Sequence, residues 1–213
     1  MTPRFPSAGA LPERLALATR PDAPLLLLAA DEAAPVRLAV AANPHAPALA
    51  DALLARDPVA EIRARLARKL AWHAAELARM DWSRLRQLAG DGSPQVRHAV
   101  ADTLADLHDA PHDLVLALAR DAEPSVSEPL IRLSRVLTED DLIALVQAPP
   151  GAEARQSVAR RLNVPEAVAA AILRSGDPVA MAALRRNPTA RLPDMRGHGP
   201  IAPKVGVIEA SQI

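Results

Sequence analysis

The chain repeats itself, and this limits its fold more than any other feature. Aligned on Leu17 and Val40, the segments Leu15–Pro24 (LALATRPDAP) and Leu38–Pro47 (LAVAANPHAP) both read Ala, apolar, Ala, two variable residues, Pro, a variable residue, Ala, Pro. More distant copies are Ser157–Pro165 (SVARRLNVP) and Ala183–Ala190 (ALRRNPTA); the second keeps Asn187-Pro188 where the earlier copy has Asn43-Pro44. Another signature precedes this one. Asp31 and Arg37, Asp57 and Arg63, and Asp91 and Arg97 are each six residues apart, with Pro and a β-branched residue between them; Asp121 opens a further copy that has Ser127 in the Arg place. One anchor per copy gives Leu17, Val40, Leu66, Val100, Leu130, Val158 and Leu184, spaced 23, 26, 34, 30, 28 and 26 residues apart.

Periods of this length denote stacked units. Each copy reads as a short helix, a turn and a second helix. Asp is expected as the N-cap, with Pro inside the first turn, where its missing N–H costs nothing. Apolar residues then recur at helical spacing (Val36 and Val40; Ile62, Leu66 and Leu70), and Pro ends the run. Such a pair cannot bury its apolar face alone; stacking on neighbours does so. Composition agrees. Half the residues are hydrophobic but only 1% are aromatic, so the core is built from Ala, Leu, Val and Ile, and Ala lets helices approach closely.

At these residues the sequence resembles the HEAT-like α-solenoids. The strings at 31–41 and 91–101 are similar to the start of the inner HEAT helix, and the copies ending in Asn-Pro resemble the leucine-rich-repeat variant. Asp121 to Thr189 further resembles bacterial helical-repeat domains of unknown function. The resemblance implies an all-α, right-handed solenoid of about six to seven short repeats. It would span residues 11–192, between an N-terminal extension (1–10) and a flexible tail or short linear segment (193–213). Solenoids of this kind mostly bind proteins; some bind nucleic acid and a few are enzymes.

The absence of Cys excludes disulfides, iron–sulfur clusters, thiolate zinc and cysteine catalysis. No signal-peptide pattern opens the chain, and the longest apolar run, near 23–30, is far short of the roughly 20 residues a span needs. A soluble cytoplasmic protein without a membrane partner is expected, and no cofactor is called for. Lys+Arg and Asp+Glu number 25 each, so bulk charge names no partner.

Placed on the repeats, the charges say more. By analogy with HEAT-like stacks, Asp31, Arg37, Asp57, Arg63, Asp91 and Arg97 should form a structural ladder within or between copies. A second row stands two residues after the anchors, at Arg68, Arg132, Arg160 and Arg186, with Arg65, Lys69, Arg135 and Arg161 beside it. On the inner helices this row would line a concave face. Asp106, Asp109, Asp113, Glu139, Asp140 and Asp141 would gather outside. Such a stripe suits an acidic protein segment or a phosphate backbone. Trp72 and Trp82 are candidate interface anchors or core residues. With Asp81 they loosely resemble the pieces by which a HEAT-like DNA glycosylase family holds a damaged base; Asp81 reads equally as a helix cap. His108 and His112 stand four apart and are weak metal-ligand candidates, with Pro111 between them. No catalytic constellation is present. The expected function is a non-catalytic scaffold binding a protein, with a nucleic-acid-binding HEAT-like protein as the alternative and a metal- or small-ligand enzyme third.

Overall fold

The computed structural model describes residues 9–76 and 82–193, the side chains of 71–76 excepted. Among these residues the chain is all-helical, with thirteen helices and no strand. They are α1 (Leu11–Ala18), α2 (Leu25–Leu28), α3 (Ala34–Ala42), α4 (Ala48–Leu54), α5 (Ala60–Glu76), α6 (Ser83–Ala89), α7 (Pro94–Leu104), α8 (His112–Ala119), α9 (Pro124–Leu133), α10 (Glu139–Gln147), α11 (Ala154–Ala159), α12 (Glu166–Ser175) and α13 (Pro178–Arg185).

Every substantial helix contact joins neighbours or next-but-one neighbours in chain order. The odd-numbered helices each pack on the next from α1 to α13; α2 packs on α4, α6 on α8 and α10 on α12. The seven sequence anchors fall one on each odd-numbered helix, and all but the first are fully buried. Leu17 stays 37% exposed. Beside it Ala18 is fully buried, as is its counterpart Ala41 on α3. The core between the rows is Ala, Val, Leu and Ile, and none of the described helices is long and apolar enough to cross a membrane.

The helix starts differ from expectation in one respect. Asp31, Asp91 and Asp121 are not N-caps; the caps are Ala33, Ser93 and Glu123, whose own side chains do not cap. Each Asp instead stands two residues earlier and accepts the N–H two ahead, at 2.8–2.9 Å, as does Asp57 from Val59. This Asx turn sets the entry angle of the helix and leaves the second carboxylate oxygen free for another partner. Asp177 alone follows the sequence expectation, accepting from Val179 and Ala180 at the start of α13.

Within α9, Pro129 has no N–H to give the carbonyl four residues back. That carbonyl, on Ser125, accepts from His98 Nδ1 on α7 at 2.7 Å, so the helix defect becomes a contact between helices.

Candidate functional site

The Asp/Arg pairs link successive copies. Arg14 Nε donates to Asp31 at 2.9 Å, and Arg37 to Asp57, Arg63 to Asp91 and Arg97 to Asp121 at 2.6 Å each. The other arm of each guanidinium reaches the main-chain carbonyl of its own copy's Asp: Asp31 for Arg37, Asp57 for Arg63 and Asp91 for Arg97. Arg14 takes Gly9 in the same way. The bidentate geometry lowers the carboxyl groups of Asp91 and Asp121 below the usual range, chiefly through the bonds from Arg63 and Arg97, against a smaller opposing effect of burial. Each pair is mostly shielded from water. Ladder and turn thus share one carboxylate, which the spacing alone did not reveal; Arg14 belongs to the ladder although no Asp stands six residues before it.

One step lacks a rung. At α9 the Arg position is Ser127, and the matching Asp position, nine residues before Val158, is Pro149. The series resumes loosely at α11, where Arg155 stands 4.0 Å from Asp177. The α9–α11 step is held instead from its other end. Arg161, just past α11, donates to the carbonyls of Ile131 and Ser134 at the end of α9, the latter at 2.8 Å. Burial pushes the Arg161 guanidinium below its ordinary value. Asn does the same work elsewhere. Asn43 Nδ2 donates to the carbonyls of Ala18 and Arg20, and Asn187 Nδ2 to those of Ala159 and Arg161. Helix C-termini leave carbonyls without partners, and these side chains from the following copy supply them.

Two of the residues expected beside the second basic row therefore leave that face. Arg161 serves as a clip on α9. Lys69 is buried and paired with Asp51 of α4, its ammonium lowered by desolvation against the pull of that carboxylate. One residue further along the helix turns about 100°, which takes Lys69 inward from exposed Arg68.

Arg65, Arg68, Arg132, Arg135, Arg160 and Arg186 all face solvent. Arg132 touches Glu128 at 3.4 Å, one turn back. Arg132 lies in the last turn of α9, and Arg160 and Arg186 are the C-caps of α11 and α13, where cations favourably meet the negative end of the helix. These three share an open depression of about 650 Å³ with Leu162 and Val179, which are 77% and 55% exposed. A second depression, of about 820 Å³, meets the first at Arg132, Arg160 and Leu162, and adds Arg135, Leu133 and Asp106. Arg65 and Arg68 line a separate depression of about 450 Å³ with Glu61 and Leu15. The charge separation expected from sequence is partial, because Asp106 joins the arginines and Asp102 stands exposed in their row. The exposed Leu133, Leu162 and Val179 were not singled out by sequence reasoning; Leu133 and Leu162 directly follow Arg132 and Arg161, which was an available signal, while Val179, in the first turn of α13, had none.

The remaining candidates separate. Trp82 is half-buried against the core at the start of α6, while Asp81 and the Trp72 side chain lie outside the described residues. His108 sits in the loop after α7 and His112 opens α8, so no single helix presents both. His112 Nε2 is 2.7 Å from Asp141, which also closes a capping box with Thr138. Burial opposes the charge on Asp141, but hydrogen bonds from His112 and Thr138 outweigh it and hold the carboxyl below its usual range. Among the described residues no group of three or more His, Cys, Asp or Glu could hold a metal ion.

Neither the curated proteins nor the solved structures contain a match to this chain. Residues 126–198, which begin near the start of α9 and carry Arg132, Arg160 and Arg186, match the model of a family described as an uncharacterised protein conserved in bacteria (DUF2336).

Proposed function

We propose that this protein is a non-catalytic binding scaffold, a right-handed α-solenoid of HEAT-like repeats whose odd-numbered helices line a concave face that grips an acidic protein segment. The observation that carries this reading is the depression across α9, α11 and α13, where Arg132, Arg160 and Arg186 share one surface with two exposed aliphatic side chains. Helix contacts confined to chain neighbours support the stacked architecture. Guanidiniums beside aliphatics suit the holding of carboxylates with apolar anchors more than they suit proton transfer near neutral pH. Asp106 and Asp102 within the same basic region disfavour a continuous polyphosphate backbone.

The test is anisotropy of a fluorescein-labelled Glu-rich peptide and of a labelled DNA duplex, each titrated with the protein at about 50 and 200 mM salt. The peptide is expected to bind, and the combined R132E, R160E and R186E substitutions to abolish binding without lowering the melting temperature by more than a few degrees. Duplex binding that is tighter than peptide binding and falls steeply with salt would make this a nucleic-acid-binding protein instead.

A further inference from the structure

We infer that the segment held by this face is an amphipathic acidic α-helix, laid across α9, α11 and α13, with carboxylates seven residues apart and aliphatic side chains midway between them. The inference rests on the scaffold reading and specifies its ligand.

Arg132, Arg160 and Arg186 each stand two residues after a fully buried anchor, Leu130, Val158 and Leu184. Buried anchors fix the rotation of their helices, so the three arginines emerge on one side. Packed helices lie about 8–10 Å apart, which sets the repeat of the row. An α-helix rises about 1.5 Å per residue, so positions seven apart are about 10.5 Å apart and return to nearly the same face. An extended strand covers that distance in about three residues, an odd number, which turns successive side chains to opposite faces. A polyproline helix matches the spacing at about three residues per turn, but its two intervening side chains point away. The face also carries Leu162 and Val179 in the same depression as the arginines, and Leu133 in the adjoining one. Only the α-helix puts a residue three or four positions on beside the carboxylates to meet them.

The probes are two labelled peptides of identical composition and charge, titrated into the full 213-residue protein. One has Glu at every seventh position and Leu three or four residues after each; in the other the same residues are scattered around the helix. The patterned peptide is expected to bind about tenfold tighter, to gain helical circular dichroism on binding, and to lose about tenfold with Arg160→Glu. A proline in its centre should remove the gain. Equal affinity of the two peptides, or binding without helix formation, overturns the helical ligand while leaving an acidic partner in place. Binding of neither peptide, or of duplex DNA in preference to both, overturns the ligand and the scaffold reading together.

Discussion

The α7–α9 and α9–α11 steps are built from the same kind of helix and held in different ways. At α7–α9 the Arg97–Asp121 pair ties the helix starts together, and His98 adds a bond to the carbonyl freed by Pro129. At α9–α11 both members of the pair are gone, and among the described residues the hydrogen bonds from the end of α11 to α9 come from Arg161 alone. The first step is fastened near the N-terminal ends and the second at the C-terminal ends. The fastened end of the α9–α11 step is the one that carries Arg132 and Arg160. Buried anchors recur at every step, while the polar groups that join the helices change from one step to the next.

The difference between the two steps is most vulnerable at Arg161. Arg161→Ala leaves the carbonyls of Ile131 and Ser134 without partners and should cost about 3 kcal/mol. Hydrogen exchange should quicken in α11 to α13 and stay unchanged in α3 to α7; uniform acceleration along the chain would mean that the two steps do not differ. Arg63→Ala, in the middle of the continuous ladder, should cost about 2 kcal/mol in urea unfolding, since it strands Asp91 and the Asp57 carbonyl.

Acid gives a smaller effect with a defined sign. Asp91 and Asp121 hold their protons less readily folded than unfolded, so below about pH 4 the unfolded chain binds more protons and gains in relative stability. The stabilisation from the two pairs is complete above that pH and disappears as pH falls through the lowered folded values, about 1 kcal/mol for each pair. Melting temperatures recorded from pH 6 to pH 2 should fall less steeply for Asp91→Asn than for the parent. The smallest effect comes from making the two steps alike. Ser127→Arg with Pro149→Asp restores the missing rung and should add less than about 1 kcal/mol. Ser127→Arg alone should destabilise, because Ser127 is buried and the ladder position that supplies the carboxylate at the other steps is Pro149 here.

Anchors and ladder spacing were legible because a helix buried on one face repeats its apolar residues at a fixed period. Val40, Leu66 and Val100 announce themselves in this way. Depth was not legible. Lys69 reads as a neighbour of Arg68 but turns into the core to meet Asp51. Arg161 lies past the last helical residue, where the 3.6-residue period no longer says which way a side chain points. Asn43 and Asn187 read as helix terminators beside Pro, and their role as donors to the previous copy depends on contacts 23 to 28 residues away. The site shows the same limit: Arg132, Arg160 and Arg186 could be placed in one row from sequence, but Leu162 and Val179 become part of that surface only through the packing of α11 on α13.

The shared carboxylate has a consequence for how such a chain can change length. Each Asp of the ladder opens its own copy and accepts the Arg of the copy before, so the copies that open at Asp31, Asp57 and Asp91 have the same two half-joints, one at each edge. Removing residues 57–90 would bring Arg37 to Asp91, and duplicating them would bring Arg63 to a second Asp57, with the chemistry of the joint unaltered in either case. The ladder can therefore grow or shrink by whole rungs, at the cost of the buried Lys69–Asp51 pair, which crosses the cut at residue 57. The exception is the junction at Ser127 and Pro149, which accepts neither edge, and so marks a place where units cannot be exchanged freely.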